Sequence, residues 1–199
     1  MNKLQKYFRE YLAKSSRLKI AGDIFFYLFI LSVLLPWSRT FLIRSILINP
    51  GFLEAKESVV LEPTDYDLLL SDLNGKTINL SEYRGKTLFI SFWATWCPPC
   101  RAELPSIENL YNSYGDRINF FLITTEPEDK VKAFLNENHY DLPVYFQKSA
   151  SSEKLSVRSY PTSYVVSDKA EIRVRKKGAA RWNSRAVKRK LDGLLKGSQ

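Results

Sequence analysis

The sequence predicts an α/β fold: a central mixed sheet flanked by helices, with a β-hairpin at its N-terminal side and one transmembrane helix ahead of it. Three observations carry this. From residue 87 onward, short β-branched and aromatic runs alternate with segments of helical spacing, the pattern of βαβ units. Asn74-Gly75 lies between two short apolar runs, a hairpin signal. Residues 20–37 form a mostly apolar stretch about as long as a helix needs to cross a bilayer core.

Residues 1–19 set six basic side chains against Glu10 and read as a cytoplasmic tail. In the apolar stretch, Asp23 lies near one end, within reach of the interface. Trp37 suits the interfacial belt at the other, after Pro36 closes the run. The basic flank keeps the N-terminus inside, so everything after Trp37 lies outside the cytoplasm. A cleaved signal peptide is one competing reading, but 34–39 offers no small-x-small site. A buried core helix is another, weakened because the run is apolar on all faces. Residues 20–37 are therefore read as a signal anchor and 38–64 as a juxtamembrane segment and tether, with a turn at Asn49-Pro50-Gly51. Residues 65–199 form the globular domain.

Within that domain, 68–80 reads as two short strands around the Asn74-Gly75 turn, and Arg84-Gly85-Lys86 as a second turn. Thr87 to Trp93 is a buried central strand. Glu103 to Tyr114 has helical spacing, with Leu104, Ile107, Leu110, Tyr111 and Tyr114 on one face. Strands follow at 118–124 and 144–146, with a helix at 128–138 between them. A short helix is expected at 152–157. Strands at 164–167 and 172–176 flank a turn at Asp168-Lys169-Ala170, and a closing helix spans 182–196.

Charge narrows the function classes. The formal net charge is +9, but it is unevenly spread. Residues 1–44 hold eight basic and two acidic side chains, 45–168 eleven and seventeen, and 169–199 eleven and two. The middle, which contains both cysteines, is acidic and does not carry the field of a nucleic-acid groove. The basic run from Arg173 to Lys190 could meet anionic lipid, an acidic partner or nucleic acid; a solvated strand edge and helix face is the simpler reading. Two cysteines are too few for a disulfide scaffold, and with one histidine they fall short of the four ligands of a closed zinc site.

The cysteines stand at a strand-to-helix junction, Phe92-Trp93-Ala94-Thr95-Trp96-Cys97-Pro98-Pro99-Cys100-Arg101-Ala102-Glu103-Leu104-Pro105. A helix N-terminus offers unpaired amides and the positive end of a dipole, which favour a charged sulfur on Cys97 and lower its pKa. Pro98 and Pro99 remove two of those amides, so the donor left is that of Cys100. Cys97 can then attack a disulfide, and Cys100, one turn away, can displace the partner. A structural disulfide and half of an intermolecular metal site are the alternatives. The full string, with the hairpin and Tyr160-Pro161-Thr162 ahead of a strand, resembles the thioredoxin superfamily over residues 65–195. It looks most like the TlpA/ResA-type branch of membrane-tethered, extracytoplasmic thiol–disulfide oxidoreductases.

The resemblance implies a thioredoxin-like fold without cofactor, a redox disulfide between Cys97 as nucleophile and Cys100 as resolving thiol, and no metal. It implies protein thiols and disulfides outside a bacterial inner membrane as substrates, including cysteines destined for haem attachment in cytochrome c biogenesis. A membrane electron carrier is the redox partner, reduction the favoured direction, the bilayer a partner through the N-terminal helix, and nucleic acid none. Pro161 matches the family's cis-proline, with Tyr160 presenting backbone to a substrate strand; an ordinary turn proline is the other reading. Trp96 is assigned to the partner-contact surface. Glu126 occupies the place of a carboxylate that manages a proton on the resolving thiol, provided burial raises its pKa. It equally fits an acid at a helix start. Ser91 stands where thioredoxin has an Asp, which favours the tethered branch. A Cu(I)-handling protein using the same dithiol is the rival function; it wants a nearby His, and His139 lies in a polar loop. A peroxidase wants Thr where Ala94 stands.

Overall fold

A computed structural model describes residues 17–34 and 59–196. The chain divides into two compact units, Met1–Leu42 and Ile43–Gln199. In the first, helix α1 spans Arg17–Leu34. The side chains of Ile24 through Ile30 are exposed on every face, as expected of an apolar run without an amphipathic stripe. Among the described residues no helix is long and apolar enough to cross a membrane. α1 carries Arg17, Lys19 and Asp23 within its 18 residues. The rest of the expected span, 35–37, and the juxtamembrane residues to 58 lie outside the described residues, as does the expected tail before Arg17.

The second unit is a mixed sheet with helices, as the alternation predicts. Its strands are β1 (Val59–Val60), β2 (Leu69–Asp72), β3 (Thr77–Asn79), β4 (Leu88–Phe92), β5 (Asn119–Thr124), β6 (Val144–Gln147), β7 (Thr162–Val166) and β8 (Glu171–Lys177). They lie in the order β1-β8-β7-β4-β5-β6-β2-β3. β4 pairs parallel with β5, and β5 with β6; the remaining pairings are antiparallel. α2 (Pro98–Tyr114) joins β4 to β5, α3 (Glu128–Glu137) joins β5 to β6, and α4 (Arg185–Lys196) closes the chain.

Alternation along the central strands divides the core. Phe89 of β4 and Phe120 and Leu122 of β5 pack with Leu104, Ile107 and Leu110 of α2, Val131 of α3, and Val187 and Leu191 of α4. On the other face Leu88, Ile90, Phe92, Phe121 and Ile123 pack with Tyr66, Leu68, Leu80 and Leu155. The hairpin forms as expected, with Gly75 at φ 82°, a left-handed conformation that favours glycine.

The helix whose spacing is legible from Glu103 begins at Pro98, directly after Cys97 as the sequence implies, since proline at the first two positions costs no hydrogen bond. Three elements differ from expectation. The end of the segment expected as tether, residues 59–64, belongs to the domain, because Val59 and Val60 pair with β8 and Leu61 is buried. No helix forms at 152–157. Only a turn exists there, with the Ser152 hydroxyl accepting from Leu155 N–H and Lys154 drawn away to Asp65 at 3.0 Å. The closing helix starts at Arg185 rather than Trp182, whose backbone N–H goes to Ser106 Oγ at 3.1 Å and whose ring stacks edge-on against Phe89.

Beneath the β4–α2 junction, the Ser163 hydroxyl donates to Ser91 Oγ at 2.9 Å, both fully buried. Ser163→Ala strands the Ser91 hydroxyl and should cost about 1–3 kcal/mol, whereas the double variant Ser91→Ala/Ser163→Ala should cost less than the two singles combined. Urea midpoints of the four proteins check this; additive costs refute it.

Candidate active site

The β4–α2 junction places the cysteines. Trp93 N–H donates to Ile123 O at 3.0 Å, extending the β4–β5 ladder. The chain then turns over Ala94–Cys97, closed by Cys97 N–H to Ala94 O at 3.2 Å. Cys97 is the N-cap of α2, extended at φ −89° and ψ 106°, as the residue before a proline prefers. With Pro98 and Pro99 lacking N–H groups, the Cys100 amide donates to Cys97 Sγ at 3.3 Å. The two sulfurs are joined as a disulfide, with Cα atoms 5.3 Å apart.

Cys97 is 3% exposed and Cys100 fully buried, so what little of the pair meets solvent belongs to Cys97. Next to it in the chain stands Trp96, 62% exposed, its ring edge-on to Tyr160 at 5.8 Å. The Tyr160–Pro161 peptide is cis. Because Phe92 pairs with Thr162, the residues ahead of β7 lie at the same end of the sheet as the cysteines. Trp96, Cys97, Tyr160 and Pro161 are thus brought together. His139 is exposed in the α3–β6 loop. Among the described residues no group of three or more His, Cys, Asp or Glu could hold a metal ion.

Glu126 does not match the environment expected of a proton relay. Its side chain is 8% exposed. Oε2 accepts from Thr95 N–H at 2.5 Å, Oε1 from the Thr95 hydroxyl at 2.8 Å, and Lys130 Nζ lies 2.6 Å from Oε1. Burial is the largest single influence and pushes the carboxyl up, but the Lys130 and Thr95 bonds together outweigh it. The net shift is below the usual carboxylate range, opposite to the expected direction.

Glu103, one helical turn after Cys100, is the buried carboxyl that sequence reading missed. It is 1% exposed. Oε2 accepts from Ala180 N–H and from the Trp182 indole N–H, both at 3.1 Å, while Oε1 has no hydrogen-bond partner among the described residues. Burial pushes it up to about 8, against those two bonds and the positive charge of Lys176. Its spacing carried a signal. Residues 100, 103, 104, 107, 110 and 114 share one helical face, and Glu103 is the acid within that apolar stripe.

The family model for the AhpC/TSA family matches residues 64–175. "Thioredoxin-like protein YneN" of Bacillus subtilis is 34% identical over 110 residues, 53% of this chain and 65% of that protein. "Thiol-disulfide oxidoreductase ResA" of Halalkalibacterium halodurans is 32% identical over 109 residues, 53% of this chain and 62% of that one. The chain thus spans slightly under two thirds of the length of either. The solved thioredoxin domain of a thiol-disulfide oxidoreductase from Bacteroides vulgatus superposes with a TM-score of 0.53 at 16% identity, covering 74% of this chain and 99% of that one; this is a likeness of fold. With a strand, a CxxC-capped helix and a mixed sheet under the matched segment, the chain belongs to the AhpC/TSA family, on its thioredoxin-like, ResA-related side.

Proposed function

We propose that the protein is a membrane-anchored, extracytoplasmic thiol–disulfide oxidoreductase that reduces disulfides in other proteins. The observation carrying this is the Cys97 sulfur at the start of α2, receiving the Cys100 amide and already paired with Cys100. The names of the ResA relatives support the reaction class. The basic residues of 1–19 followed by the apolar run 20–37 support the anchor and its orientation. Ala94, in place of the Thr that a peroxidase needs, argues against peroxide as substrate.

In the reduced protein, Cys97 thiolate attacks one sulfur of a substrate disulfide. A Cys97–substrate disulfide forms and the other substrate sulfur leaves as thiolate, taking up a proton. Cys100, deprotonated, then attacks the Cys97 sulfur. The internal disulfide closes and the second substrate sulfur leaves. Two electrons pass to the substrate, and a membrane dithiol carrier restores them. Trp96, Tyr160 and Pro161 frame the approach, and cysteines awaiting haem attachment are the substrate class.

Cys100→Ala in the full chain is expected to accumulate mixed disulfides on Cys97 in cells, released by dithiothreitol. Absence of adducts on a folded, membrane-inserted variant refutes the exchange role. Equilibration of the wild-type pair with dithiothreitol tests direction: a strongly reducing pair is expected, and an oxidising one overturns the reductase assignment.

A further inference from the structure

The junction between β5 and α3 holds the loop before Cys97 at two points. Ile123 O takes Trp93 N–H, and three residues later Glu126 takes both donors of Thr95. Glu126 is itself fixed: its N–H donates to Thr124 Oγ1 at 3.3 Å, and Lys130, one turn into α3, pairs with its carboxylate. Thr95 is nearly buried and is the second residue of the turn that Cys97 N–H closes on Ala94 O. The next two residues are Trp96 and Cys97.

From this geometry we infer that Glu126, paired with Lys130, is a positioning residue that fixes the Ala94–Cys97 turn and so aims the Cys97 sulfur and the Trp96 ring at an incoming disulfide. The inference rests on the reading of Cys97 as the attacking sulfur. It assigns Glu126 a role other than proton transfer. A carboxylate that already accepts from two Thr95 donors and a lysine holds no proton to give at neutral pH. The chemistry also explains why a carboxylate is required. Thr95 presents two donors, one a backbone N–H that needs a partner once buried. A carboxylate has an acceptor oxygen for each, whereas an amide has one oxygen and turns an NH2 group toward the other donor. Removing the carboxylate therefore frees the turn without touching either cysteine.

The test uses the full chain in detergent, with Cys100→Ala so that Cys97 is the sole thiol. The rate of Cys97 alkylation by iodoacetamide is followed to its plateau at high pH, where the fraction of thiolate no longer limits it. Glu126→Gln and Thr95→Val should each lower that plateau roughly tenfold, as a misaimed nucleophile does. The double variant should lose little more than either single, because both break one device. Thr95→Ser, which keeps both donors, should rescue the rate lost in Thr95→Val. An unchanged plateau in folded Glu126→Gln overturns the inference. So does a fall in the unfolding midpoint with no change in plateau, and so does a Thr95→Ser rate as low as that of Thr95→Val. Failure of the oxidoreductase reading looks different: the parent protein alkylates normally yet forms no mixed disulfide with any protein disulfide.

Discussion

Cys97→Ser is expected to lower disulfide exchange by about a thousandfold or more, because a hydroxyl is not ionised at neutral pH and forms no exchangeable bond with sulfur. The fold should survive. Serine is a favoured N-cap, and its hydroxyl can accept from the Cys100 amide that now donates to sulfur at 3.3 Å. The covalent link to Cys100 closes only a very short loop, so its loss from the unfolded-state entropy is small. A collapse of activity with a near-native urea midpoint therefore isolates chemistry from stability. Reduction of an insulin disulfide, driven by dithiothreitol and followed with the full chain, gives the rate. A residual rate within tenfold of wild type would place the attacking sulfur elsewhere, and Cys100 is the only other cysteine in the chain. Cys100 is fully buried in the described structure, which makes that assignment physically unattractive.

Most of the scaffold was legible because local patterns and tertiary packing agree. The run from Leu88 to Phe92 is apolar except for Ser91 and is buried on both faces of the sheet. Asn74-Gly75 dictates a hairpin wherever the chain goes next. The misreadings arose where a side chain answers to a distant partner. Trp182 looks like the first residue of an amphipathic helix, yet its indole and backbone are taken by Glu103 and Ser106, and the helix waits until Arg185. Val59-Val60 is too short to announce a strand; its partners lie more than a hundred residues ahead in β8. Spacing brings Cys97 and Cys100 together, and a helix start explains their chemistry from sequence alone. The two carboxylates could not be ranked that way. Both are acids near the motif, and only the packing around them decides that Glu126 faces three donors while Glu103 keeps a bare oxygen in the core.

That bare oxygen leads to the second large effect. The carboxyl of Glu103 titrates near its ordinary 4.5 when unfolded and at about 8 when folded. Below about pH 4.5 both states hold the proton and its titration costs nothing. Between 4.5 and 8 the folded state keeps a proton that unfolding releases, so stability falls as pH rises through that window. Above 8 the loss is complete, on the order of 5 kcal/mol from this one group. Glu103→Gln removes the titration. Its carbonyl can still accept from Ala180 N–H and Trp182 Nε1–H, while its NH2 takes the unpartnered place of Oε1, at a cost of about 1–3 kcal/mol that does not vary with pH. The two stability curves should cross: the variant is weaker than wild type at pH 5 and stronger by a few kcal/mol at pH 9. Urea unfolding of the detergent-solubilised full chain, kept oxidised so that neither cysteine titrates, measures both curves, and Trp182 against Glu103 supplies a local fluorescence signal. Parallel curves would show that Glu103 is ionised in the folded protein across the whole range. Crossing curves would mean that a carboxylic acid, one turn from Cys100 on the same helical face, is still protonated at neutral pH, where the resolving thiol must lose its own proton before it can close on Cys97.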